Sequence, residues 1–135
     1  MNKYVIKAKP ELIDDMIEPI VSALREAEAN AKAVYQMNLV LEEVLVNVVN
    51  YAYDNADGTV DISYDINKEN RTVKVIIKDS GKAFNPLDAQ DPPLHQSAGE
   101  RKIGGLGIYI VKNLVDDIKY SRVDEHNVLE FSKNY

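Results

Sequence analysis

Apolar residues recur along this chain at two periods, and their alternation predicts its elements. Near the start, "KYVIKA" sets Tyr4 and Ile6 against lysines, the period of a half-buried strand, and Pro10 ends it. From about Glu11 to Asn30 the period lengthens, with Leu12, Met16, Ile20 and Leu24 on one helical face. Pro19 either kinks this helix or sits in the first turn of a second piece. A second helix, about Ala33 to Tyr53, carries Met37, Leu41, Val44, Leu45, Val48 and Ala52 in a broad stripe that should be deeply buried. After the turn cluster "DNADGT", the segments "TVDISYDI" and "RTVKVIIKD" return to period two around Asn67–Asn70, an antiparallel hairpin. Periodicity then stops from Ser80 to Gly104, a loop long enough to suggest a lid. "GIYIVKNLVDD" restores the helical period through Ile108, Val111, Val115 and Ile118, and "IKYSRVD" and "NVLEFSK" form a closing hairpin.

The order β-α-α-β-β-loop-α-β-β predicts an α+β fold: a two-layer α/β sandwich, its sheet mixed but mostly antiparallel, with about three helices on one face. Residues 1–135 are expected to form a single domain.

Composition narrows the classes of function. There are no cysteines, which excludes disulfides and thiolate metal sites and suits a reducing cytoplasm. No apolar signal core opens the chain and no run approaches the roughly 20 apolar residues of a membrane span, so a cytoplasmic protein is expected. The net charge of −6 disfavours nucleic acid and anionic lipid, and no basic patch offsets it. His95 and His126 lie far apart in polar surroundings and read as surface residues.

Polar residues that interrupt the apolar pattern carry the candidate chemistry. On the second helix, Glu43 and Asn47 stack at i, i+4 with Asn50 on the same side, while Glu42 points elsewhere. A carboxylate and an amide oxygen one turn apart suit a hydrated Mg²⁺ and a hydroxyl or water nucleophile; they also suit an ordinary solvated helix edge. Asp79 and Gly81 end a buried strand. An acid there can accept a hydrogen bond from an exocyclic amine, with Gly81 admitting a flat ring, but an Asp-Ser-Gly turn uses the same residues. In "KIGGLGIYIVKNL", Gly104, Gly105 and Gly107 crowd a helix entrance, where unpaired N–H groups attract anions; a tight loop is the alternative. Gly105-Leu106 stands where a Walker loop needs Lys-Ser/Thr, and "GERKIGG" follows no strand, so neither that loop nor a dinucleotide fingerprint is present.

Taken in order, "EEVLVNVVNYAY", "DSGKAF" and "GGLGIYIVK" resemble the N box and two glycine boxes of the Bergerat-fold (GHKL) ATPases, and the whole chain resembles bacterial anti-sigma factor serine/threonine kinases. The resemblance implies ATP and Mg²⁺ as ligands, Glu43 as the catalytic base and Asn47 as the metal ligand. It implies an ATP site formed by Asn47, Asn50, Tyr51, Asp79, Gly81, Phe84, Arg101, Gly104, Gly105, Leu106, Gly107 and Ile108, with Asp79 taking the adenine amino group. Arg101 and Lys102 serve equally as phosphate contacts or as a solvated pair. Implied partners are an anti-anti-sigma (STAS-type) protein and a sigma factor, with homodimerisation; an ATP-dependent binding module that sequesters a regulatory partner, or a bare ATPase, would use the same motifs. The chain departs from the family pattern in three places. Ala83 replaces a second glycine, Tyr51 stands where kinases often carry histidine, and Asn127 or Val128 lies where many relatives have a threonine.

Overall fold

In the computed structural model, which describes residues 1–54, 56–88 and 105–135, five strands form one sheet in the order β1-β2-β3-β5-β4. The strands are β1 (Asn2–Lys7), β2 (Thr59–Asn67), β3 (Thr72–Asp79), β4 (Asp117–Val123) and β5 (His126–Asn134). Every pairing is antiparallel, so the mixed sheet allowed by the sequence resolves into one direction pattern. Three helices accompany it: α1 (Ile13–Glu26), α2 (Ala31–Tyr51) and α3 (Gly105–Leu114). No helix among the described residues is long and apolar enough to cross a membrane.

Pro19 lies inside a continuous α1, which corrects the alternative of a second helical piece. Its ring removes one backbone donor, but Asp15, whose carbonyl loses that partner, is exposed to water. Met16, Ile17, Ile20, Val21 and Leu24 still form a buried stripe. The chain then turns through Glu28 at φ 60°, and Asn30 caps α2 by accepting the Ala33 N–H at 2.8 Å. Asn30 therefore begins the second helix; the reading that let it end the first overlooked a capping residue.

α2 packs against both α1 and α3, and its Met37, Leu41 and Leu45 meet Val60, Ile62, Val75, Ile77 and Phe131 of the sheet in one core. The apolar stripe of α2 divides along its length. Its first four turns are buried in the core, whereas Val44, Val48 and Ala52 also border a cavity. The helical spacing of Val115 and Ile118 misled the sequence reading: α3 stops at Leu114, and Ile118 belongs to β4. Both residues nonetheless pack against the core, which is why the apolar spacing continued.

The end of α3 is fixed from the sheet. Lys133, buried on β5, donates from Nζ to the Leu114 carbonyl at 2.6 Å, where a cation complements the helix C-terminus. This leaves the glycine end of α3 facing α2 and the ends of β3 and β5.

Candidate functional site

Period two places Val73, Val75 and Ile77 of β3 on the core face, and the next inward position is Asp79. The same alternation on β5 makes Asn127 the first inward residue before Leu129 and Phe131. Register sets the two polar residues directly opposite each other, Asp79 against Asn127. They form the polar floor of a cavity of about 40 Å³, several times the roughly 10–15 Å³ one water requires. Its walls are apolar side chains of α2, Ile77, Ile108 and Leu129, joined by Asn47, Tyr51, Phe84 and Tyr120.

The floor is held by a dense set of bonds. Asp79 Oδ1 accepts the Gly81 N–H at 2.9 Å and an Asn127 Nδ2–H at 2.9 Å. Arg122 donates to the Gly81 carbonyl at 2.8 Å, and Lys82 N–H donates to the Ala52 carbonyl at 2.9 Å. A methyl group at Gly81 would lie 2.2 Å from that same Ala52 oxygen. Glycine is therefore required there by the approach of the chain to the end of α2. At the mouth, the rings of Tyr51 and Phe84 stand 6.1 Å apart and tilted by 32°, exposed at 41% and 43%. Exposed rings at a cavity mouth offer faces to a planar ligand.

Glu43 lies half-buried where α2 meets α3. A methyl group at Gly107 would approach its Oε2 to 2.3 Å, so the missing side chain makes room for the carboxylate against the first turn of α3. Gly105 to Ile108 form that first turn, whose N–H groups have no partners within the helix. Asn47, one turn beyond Glu43, borders the cavity.

The structure thus brings Asn47, Tyr51, Asp79, Phe84 and Ile108 to one cavity, with Glu43 and Gly107 in contact beside it and Gly81 beneath. Asn50 is not among them: it is exposed in a separate groove with Lys7, Lys9 and Asp57. Two helical positions of the same period, 47 and 50, have diverged by 60° around α2, enough to face different grooves. Arg101, Lys102, Gly104 and most of the expected lid lie outside the described residues, as does His95. His126 is half-buried, with no partner for Nδ1 among the described residues. Asn127 and Tyr120 were missed as site residues. In the sequence Asn127 is marked only by standing near the position where many relatives carry a threonine.

The donor set is compatible with a hydrated Mg²⁺. Among the described residues no three His, Cys, Asp or Glu side chains gather into a cage, and Asn47 offers one amide oxygen, as suits an ion that retains waters and takes phosphate oxygens.

Comparison with known proteins gives a consistent result. Residues 6–133 match the histidine kinase-like ATPase domain. The anti-sigma F factor of Anoxybacillus flavithermus is 31% identical over 101 residues, covering 73% of this chain and 68% of the relative. The serine/threonine-protein kinase BtrW of Bordetella bronchiseptica is 27% identical over 105 residues, covering 78% and 73%. Among solved structures, the histidine kinase domain of a blue-light activated histidine kinase from Erythrobacter litoralis superposes with a TM-score of 0.55 at 16% identity. That match covers 90% of this chain and 60% of the other, and it carries the fold alone.

Proposed function

Because the chain belongs to the histidine kinase-like ATPase domain family, we propose that it is an ATP-binding anti-sigma regulator that phosphorylates a serine or threonine of an anti-anti-sigma partner of the STAS type. The observation that carries the reading is the cavity itself, an apolar slot whose buried floor presents one carboxylate beside the glycine end of a helix. Adenine suits such a slot, since its amino group supplies a donor for Asp79 Oδ2, which receives none among the described residues. Phosphates suit the α3 end, where N–H groups without partners within the helix and the positive end of the helix dipole favour negative charge. Relatives named as anti-sigma factors and serine kinases support the choice of partner and reaction. The chain acts in this reading as one domain.

Asn47 would hold Mg²⁺ through its amide oxygen, and the ion supplies neutralising charge to the phosphates. Glu43 accepts the proton of the incoming hydroxyl. The seryl oxygen forms its bond to the γ-phosphorus as the bond from that phosphorus to the β-bridging oxygen breaks, and ADP leaves. Gly107 permits Glu43 to stand against the helix end where the γ-phosphate would lie. The remaining groups position: Asp79 fixes the base, and Tyr51 and Phe84 flank the mouth.

Incubation with γ-labelled ATP and a partner captured from the source cell tests the reaction. Label on a serine or threonine of the partner is expected. Partner binding that requires ATP without any transfer would replace the kinase with a sequestering module, and release of phosphate alone would leave an ATPase.

A further inference from the structure

Four hydrogen bonds converge on one buried amide at the cavity floor. Asn127, 7% exposed, donates from Nδ2 to Asp79 Oδ1 at 2.9 Å and to the Lys82 carbonyl at 2.8 Å. Its Oδ1 accepts the Phe84 N–H at 3.2 Å and the Tyr120 hydroxyl. An asparagine side chain has two donor hydrogens and two acceptor lone pairs, so its capacity is spent within the protein. Any bond to a ligand would break one of these. The Phe84 N–H, which can only donate, and the Lys82 carbonyl, which can only accept, dictate which way the amide faces, and the NH₂ group then points at Asp79.

Asp79 is left asymmetric. Oδ1 takes both Asn127 and the Gly81 N–H, whereas Oδ2 receives no hydrogen bond among the described residues. We propose that Asn127 is the positioning residue for base selection: it engages Oδ1 from across the strand pair and so turns Oδ2 to the cavity as a lone acceptor for the 6-amino group of a purine. This deepens the ATP reading and rests on it. Specificity then depends on a side chain that makes no hydrogen bond to the nucleotide.

The test compares ATP with purine riboside triphosphate, which lacks only the 6-amino group, by calorimetric titration. Wild-type protein is expected to favour ATP by about tenfold or more, the usual worth of a buried hydrogen bond to a charged group. Asn127→Asp keeps the size of the side chain but sets an acceptor against Asp79 Oδ1. It is expected to reduce the ATP preference to about twofold, with affinity for the analogue within about threefold of wild type, since the analogue never used the bond. Tyr120→Phe removes one of the two donors that hold the amide in place, and an intermediate loss of preference, about threefold, is expected. A purely structural role for Asn127 would weaken both nucleotides alike and leave their ratio intact. A ratio within twofold of wild type in both variants, or in Tyr120→Phe alone if Asn127→Asp does not fold, overturns the proposal while leaving ATP binding in place. Wild-type protein that binds neither nucleotide overturns the ATP reading and this one with it.

Discussion

Gly81 and Gly107 are both fixed by what a side chain would strike, and the two obstacles differ in kind. At Gly81 the obstacle is the Ala52 backbone carbonyl, which cannot move without shifting the end of α2. Gly81→Ala should cost about 1–3 kcal/mol, the range for overpacking a well-filled site, read as a lower midpoint in urea unfolding. At Gly107 the obstacle is the far end of the flexible Glu43 side chain. Gly107→Ala should keep its thermal midpoint, because Glu43 swings aside and alanine favours the helix, yet phosphoryl transfer should fall steeply. Glu43→Gln separates chemistry from binding at the same place: nucleotide affinity within a few-fold of wild type, and transfer reduced by roughly 10²–10⁴ as for a lost general base. The sequence made Asp79 legible because it continues an inward strand pattern with an acid. It could not reveal Asn127, since an asparagine at the start of a strand ordinarily serves a turn and only the pairing of β3 with β5, 48 residues apart, brings it to Asp79.

Two tethers hold the helices to the sheet, and each can be cut separately. The Tyr4 hydroxyl on β1 donates to the Met16 carbonyl of α1, and burial, reinforced by Tyr64, raises its pKa above the ordinary tyrosine value. A raised folded-state pKa gives a contribution fully present below the unfolded value near 10 and progressively lost as pH rises above it. Wild-type stability should therefore fall between about pH 10 and 11.5 more steeply than that of Tyr4→Phe, measured by chemical unfolding at each pH. Lys133 is the other tether. Lys133→Met should cost about 1.5–3 kcal/mol for a hydrogen bond involving a charged group, and hydrogen exchange should quicken in the last turn of α3. Periodicity located the three α-helices and five strands of the described residues, but not their ends. α3 ran too long in the sequence because Val115 and Ile118 remain apolar after the helix has ended, and the second helix began late because its Asn30 cap went unread.

Across the described residues, five antiparallel strands and three α-helices bring the end of β3, the start of β5, the latter half of α2 and the first turn of α3 to one cavity. Three short motifs far apart in the chain are neighbours there, and this is why their order could be recognised in the sequence although each is weak alone. Asn50 shows the limit of such recognition: a linear motif assigns it to the site, and the helical turn carries it to another groove. The central claim is that the Asp79 carboxylate makes this cavity an adenine site, and titration of wild-type and Asp79→Asn protein with ATP and GTP in magnesium buffer tests it most directly. Wild-type protein should bind ATP about ten- to a hundredfold more tightly than GTP, because guanine sets an oxygen against the carboxylate, and Asp79→Asn should lose most of that preference while remaining folded. Equal affinities for the two nucleotides in wild-type protein, or an unchanged preference in Asp79→Asn, would contradict it.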